Sequence, residues 1–204
     1  MDGFVVAGKL PHSCLKVLEE GFKPLVYLDF YAPGSRTVSA LADSCLGGWE
    51  ITRYLIGCGH RDIGCLSSIG SGYNAQDRYF GFCKTLLEAG LTPKAEWIIS
   101  NRAKEGFFDR YALPSPLPTA FVCDCNQSAY HFTRDLQRQG YSVPGFYNHV
   151  FSTLTTYAAD MGLYGPKSRG AITALINGES PQQRITISGG LVFRDSVKKI
   201  SLSG

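Results

Sequence analysis

Three small groups of residues have the types and spacing to do chemistry. The first is His60-Arg61-Asp62, in LIGCGHRDIG at 55–64. His and Asp are general-acid and general-base types. Catalysis would also need a nucleophile or second base beside them, and the motif holds neither. The cluster follows an apolar, helix-like run. There Gly59 suits a left-handed turn and basic side chains complement the helix C-terminus. A polar joint between two pieces of structure accounts for all three residues. The second group is Cys123 and Cys125, in VCDC. C-x-C with no second pair and no nearby His lacks zinc-site spacing, so a buried strand ending at Asp124 is expected, with no metal. The third is Arg78, in DRYFGF. It falls in the first turn of an expected helix, where the dipole disfavours a cation. Two roles are open to it: a fork for ligand oxygens, or a partner for Asp77 or a surface acid. GSGYNAQD holds only the first part of G-x-G-x-x-G, and no Walker loop is present.

The elements that must position these groups follow from apolar spacing. GFVVAG, KPLVYLDFYA and TVSAL read as strands, the second apolar throughout as a covered parallel strand should be. Ser13 precedes a helix with Cys14, Val17 and Leu18 on one face, stopped by Gly21. Gly47 and Gly48 open a helix carrying Ile51, Leu55 and Cys58. IGCLSSIG is a strand. A helix follows with Tyr79, Phe82, Cys83 and Leu86 on one face, closed by Gly90. EWIIS and TAFVCDC are strands, and Asn126 caps a helix that buries Ala129, Phe132, Thr133 and Leu136. Pro costs roughly 3 kcal/mol inside a helix but little in its first turn, so the next helix is expected to start near Pro166. Trp49 and Trp97 are expected in the core. Alternating strands and helices describe an α/β protein with parallel sheets.

A chain of 204 residues, 44% hydrophobic and 18% charged, can form one core or two small lobes. A net charge of +3 argues against a nucleic-acid surface. No apolar run would span a bilayer and no signal peptide is seen, so a cytoplasmic location is expected. The seven cysteines are expected to be reduced.

Several segments resemble, in order, the sensor domain of the lactose-repressor (LacI/GalR) family of transcription regulators. They are DGFVVAGKL, KPLVYLDFY, ADSCLGGWEITRYLIGCGH, GHRDIG, DRYFGFCKTLLEAGL, PTAFVCDCNQSAYHFTRDLQRQGYSVP, GFYN, LTTYAADM and GGLVFRDSV. The resemblance implies a periplasmic-binding-protein-like type I fold of two doubly wound parallel-sheet lobes, the first incomplete. Residues 1–63 and 153–178 would form the partial N-terminal lobe, and 64–152 with 179–204 the C-terminal lobe. GHRDIG would carry the first crossover between them. The family's helix-turn-helix has no counterpart in the sequence, nor do the sensor's first two strands and helices. A family strand between Pro144 and Gly145 is also missing.

What the resemblance implies for function is a non-catalytic, effector-sensing and dimerising domain without a cofactor. A small-molecule effector, in this family often a sugar, sits between the lobes and shifts their angle. Operator DNA would be met only through a helix-turn-helix, the assembly would be a homodimer, and no membrane is involved. Arg78 matches the family's cleft arginine. Tyr73 and Asn74, in the loop before it, would stack on and hydrogen-bond a sugar, or form a solvated loop. Asp43 and Ser44 match the family's Asp-Asn near the cleft and equally suit a helix cap. Asp124, Cys125 and Asn126 stand at a strand end where the family has polar contacts, with Asn126 also a cap. Tyr147 replaces the family's sugar-binding Asp. Two alternatives stay open: a transport-type sugar-binding protein of the same fold, and a non-functional truncated copy.

Overall fold

The computed structural model describes residues 2–8, 10–21, 24–103, 106–108, 110–142 and 154–200. In chain order the elements begin β1 (Phe4–Ala7), α1 (His12–Gly21), β2 (Leu25–Leu28), β3 (Val38–Ala42), α2 (Ser44–Gly57) and β4 (Ile63–Leu66). There follow α3 (Tyr73–Glu88), β5 (Ile98–Ile99), β6 (Arg102–Ala103), β7 (Gly106–Phe107), β8 (Ala120–Cys123) and α4 (Asn126–Arg138). The last are β9 (Thr156–Ala159), α5 (Met161–Ile176), β10 (Arg184–Ile187) and β11 (Gly189–Val192). They divide into two compact units, Met1–Asp43 with Ala159–Gly190, and Ser44–Ala158 with Leu191–Gly204. β9 and β11, which cross the unit boundary, pair with each other.

Unit 1 holds a four-stranded sheet in the order β1-β2-β3-β10, every pair parallel. β2 and β3 are buried nearly throughout, as strands covered on both faces must be. Leu15 of α1 packs with Leu25 and Tyr27 on one face. Ala171 of α5 packs with Val26 and Val38 on the other. β1 lies at one edge of this sheet. In α1 the buried residue is Leu15, while Val17 is 63% exposed and Cys14 is exposed. The face is therefore centred on Leu15 with Leu18 beside it, and of the predicted Cys14, Val17 and Leu18 only Leu18 packs on this cluster.

The helix expected to start at Pro166 instead begins at Met161, with Pro166 inside it. Asp160 supplies the cap, accepting from the Gly162 amide at 2.9 Å. The cost of an internal Pro, about 3 kcal/mol, is offset by burial of Tyr164 and Ala171 against the sheet, at roughly 1.5–3 kcal/mol for a large apolar side chain.

Unit 2 is built on a parallel three-stranded sheet, β5-β4-β8. α2 and α3 cover one face through Leu55, Phe82 and Leu86, packed on Ile63, Cys65 and Val122. α4 covers the other, where Phe132 and Leu136 meet Leu66 and Tyr111. The four residues predicted to face the core from α4 are all buried.

α2 starts at Ser44, not at Gly47-Gly48. Those glycines lie inside the helix because other groups press against it. A Cβ on Gly48 would stand 2.2 Å from the Arg78 carbonyl oxygen, and one on Gly81 would stand 2.1 Å from that of Cys45. The two helices thus cross at backbone contact. This crossing places α2 in unit 2. The division between units accordingly falls at 43/44, not at the expected 63/64. Likewise β10 pairs with β3 of unit 1, although 179–204 was assigned by sequence to the other lobe.

Candidate ligand site

His60-Arg61-Asp62 joins α2 to β4 inside unit 2. Gly59 has φ +94°, the left-handed conformation that glycine accepts without strain. His60 is buried. Its Nε2 donates to the Lys198 carbonyl at 2.9 Å, a carbonyl being able only to accept, and its Nδ1 lies 3.0 Å from Thr119 Oγ1. Arg61 donates to the Ile56 carbonyl at 3.0 Å, satisfying an end of the helix. The motif is structural, as read, but it joins helix to strand within one unit and is not the crossover between lobes.

The polar concentration lies at the carboxyl ends of unit 2's strands, the usual ligand position in open α/β sheets. β8 ends at Asp124, which is buried. Its Oδ1 accepts from Asn101 Nδ2 at 2.5 Å and from Ser128 Oγ at 2.8 Å. Its amide donates to the Leu66 carbonyl at 3.0 Å. Its own carbonyl accepts from Arg78 Nη1 at 2.6 Å. Beyond β4 and β5, Ser68 Oγ and Ser100 Oγ stand 3.0 Å apart. One carboxylate thus ties the end of β5 to the first turn of α4, and its peptide carbonyl ties in α3.

Arg78 is half-buried. Of the two roles open to it, the acid partner does not occur among the described residues: its bond goes to a carbonyl. α3 begins at Tyr73, so Tyr73 and Asn74 form its first turn and not a preceding loop, and Arg78 falls in the second turn. Tyr73 is 40% exposed and Asn74 half-buried.

Cys125, not Asn126, is the N-cap of α4. Its Sγ accepts from the Ser128 amide at 3.4 Å, while Asn126 Oδ1 accepts from Thr156 Oγ1 at 3.1 Å. Burial pushes the Cys123 thiol well up, with Asp124 adding to it. The two thiols of VCDC therefore have separate structural jobs, and no disulfide joins any of the seven cysteines. Among the described residues no His/Cys/Asp/Glu group could hold a metal ion. No helix there is long and apolar enough to cross a membrane.

The structure brings Arg78 and Asp124 together. Asp43, half-buried at the end of β3, lies in unit 1 with its amide donating to the Ile187 carbonyl at 3.1 Å. Ser44 is buried at the start of α2 in unit 2. Tyr147 lies outside the described residues. Sequence reasoning missed Asn101, Ser128, Ser68 and Ser100. The signal for Asn101 was available: a polar Ser-Asn pair closes the apolar run WII.

Trp97 is buried as expected, with Nε1 donating to the Pro116 carbonyl at 3.1 Å. Trp49 instead bonds Glu88 at 2.7 Å beneath the Arg53 guanidinium, outside the core. A cavity of about 270 Å3 runs along the outer edge of β8, lined by Leu55, Phe121, Phe132, Leu136, Cys125 and Asn126 among others. None of Arg78, Asn101 and Asp124 lines it.

Residues 52–197 match the model of the periplasmic binding protein-like domain. The transcriptional repressor PurR of Glaesserella parasuis serovar 5 (strain SH0165) is 35% identical over 150 residues, 71% of this chain and 44% of that protein. PurR of Actinobacillus pleuropneumoniae serotype 5b (strain L20) is 29% identical over 220 residues, 98% of this chain and 66% of that protein. The chain thus spans less than two thirds of these relatives' length. Among solved structures, a LacI-family regulatory protein from Chloroflexus aggregans superposes with a TM-score of 0.75 at 20% identity, covering 98% of this chain and 78% of that one. CcpA of Lactococcus lactis gives 0.77 at 18% identity, covering 97% and 78%. A CelR–cellobiose complex gives 0.76 at 18% identity, covering 96% and 65%. By name these relatives are transcription regulators. With two parallel-sheet units of this topology and a family match over most of its length, the chain belongs to the periplasmic-binding-protein-like domain family, among the LacI/GalR regulators.

Proposed function

We propose that the strand ends of unit 2 bind a neutral small-molecule effector, best a sugar, and that the chain is the sensing and dimerising part of a cytoplasmic LacI-type regulator. The observation that carries this reading is Arg78. A guanidinium has five N–H donors in a planar fork, and the Asp124 carbonyl takes one of them. The rest are available to vicinal hydroxyls. The nearby carboxylate, Asp124, favours neutral ligands over anions. Tyr73, partly exposed on the same helix, offers a ring face for stacking. The structural relative seen with cellobiose supports the class of ligand. Operator contact would come through a helix-turn-helix, the element in the names of the sequence relatives.

The test is a thermal-shift screen of neutral mono- and disaccharides, cellobiose included, followed by calorimetry on the best ligand. Arg78→Ala should weaken binding about ten- to a hundredfold, the equivalent of one or two charged hydrogen bonds. Arg78→Lys should not restore it. Unchanged affinity in Arg78→Ala would refute the assignment.

A further inference from the structure

We infer that Asn101 is a positioning residue for Arg78, acting through Asp124; this rests on the reading of Arg78 as the effector's anchor. The backbone of Arg78 has no room to move, because its carbonyl is wedged against Gly48. What remains free to vary is its side chain. Among the described residues that side chain is held by a bond from Nη1 to the Asp124 carbonyl at 2.6 Å. The orientation of that carbonyl depends in turn on how Asp124 is held. The amide of Asp124 is tied to Leu66, and its carboxylate receives Asn101 and Ser128. β4 lies between β5 and β8, so the Asn101–Asp124 bond spans the end of β4 and braces the mouth of the sheet.

Asn101 is also poorly explained as a device for stability. It is 0% exposed, yet its Oδ1 has no hydrogen-bond partner among the described residues. A buried orphan acceptor is a standing cost, and an apolar side chain of similar size would avoid it. An amide kept at such a position points to the job of its other end, the donor at 2.5 Å from Asp124.

The test uses the whole chain, with cellobiose as the ligand probe and the side-chain NMR signals of Arg78 as a reporter that needs no ligand. In the parent protein the Arg78 Nη protons should be slowed in rotation by the bond to Asp124. In Asn101→Leu they should become mobile and the cellobiose affinity of the folded fraction should fall about tenfold. The exchange of partners, Asn101→Asp with Asp124→Asn, rebuilds the bond in the opposite sense. It should restore both the Arg78 signal and the affinity, which either single change alone should lose. A merely structural Asn101 predicts the reverse: earlier melting, with the Arg78 signal and the affinity of the folded fraction unchanged. That result, or failure of the exchange to restore the Arg78 signal, would overturn the positioning role. Arg78→Ala with unchanged affinity would instead overturn the effector reading, so the two failures are distinguishable.

Discussion

In each unit a carboxylate gathers donors at one end of a strand, Glu19 in unit 1 and Asp124 in unit 2, and the two are placed at different points. In unit 1, Glu19 of α1 accepts from Tyr27 Oη at 2.7 Å, from Thr37 Oγ1 at 3.3 Å and from Ser35 Oγ. Ser35 and Thr37 lead into β3, so this cluster braces the amino end of that strand. In unit 2, Asp124 gathers Asn101 and Ser128 at the carboxyl ends of the strands. Donors to a carboxylate hold structure wherever they lie. Ligands, however, meet open α/β sheets at the strands' carboxyl ends. The same device braces the start of a strand in unit 1 and, on the proposed reading, the ligand end of the sheet in unit 2.

The largest expected effect concerns the frame under Arg78. Gly48→Ala and Gly81→Ala each put a methyl group into backbone on the facing helix, and should destabilise unit 2 by about 3 kcal/mol or more. Gly170 of α5, in unit 1, has open space around it. Gly170→Ala should gain roughly 0.5–1 kcal/mol through helix propensity. Urea unfolding of the three variants makes the measurement, and equal small changes would show that the helix crossing is not tight.

Next comes the separation of stability from binding. Glu19→Ala leaves three hydroxyls without their acceptor and should cost about 1–3 kcal/mol, with effector affinity intact. Arg78→Ala should do the opposite. A loss of affinity in Glu19→Ala, measured by calorimetry on the folded protein, would erase the contrast between the two carboxylates.

A smaller effect follows from pH. Burial first, then the bond to Glu19, pushes Tyr27 up to about 12. The phenol thus stays neutral in the folded protein after it has ionised in the unfolded chain, whose ordinary value is about 10. Stability from this group is intact below pH 10 and lost as pH rises toward 12. Tyr27→Phe should flatten the fall in melting temperature over that window.

The smallest effect is chemical. Burial raises the thiols of Cys65 and Cys123, so little thiolate forms. Cys14 and Cys45 are exposed. A disulfide reagent near pH 8 should modify those two first and reach buried Cys65 only on unfolding. Rapid labelling of all seven would contradict the packing of unit 2.

Most strands and the buried face of α4 were legible in the sequence, because apolar spacing reports burial directly. Two kinds of feature were not. Gly47-Gly48 read as a helix opening, since glycine's common local meaning is a break; its role here, close approach of α2 to α3, depends on a partner 33 residues away at Gly81. Pro166 misled for a related reason, because tertiary burial outweighs local propensity. At the site, Arg78 was marked by the family resemblance, while the first-turn position read for it from the sequence is not the one it occupies. Asn101 was marked only by the polar Ser-Asn pair that closes the run WII; its pairing was not legible, because its partner Asp124 is brought to it only by the order of the strands.

The most direct test of the central claim is a crystal structure of the chain with the best ligand from the sugar screen. The account predicts ligand hydroxyls within hydrogen-bond distance of the Arg78 guanidinium, at the strand ends of unit 2, with Nη1 still on the Asp124 carbonyl. Ligand seated instead in the cavity along β8, between Phe121 and Leu136, with Arg78 untouched, would contradict it.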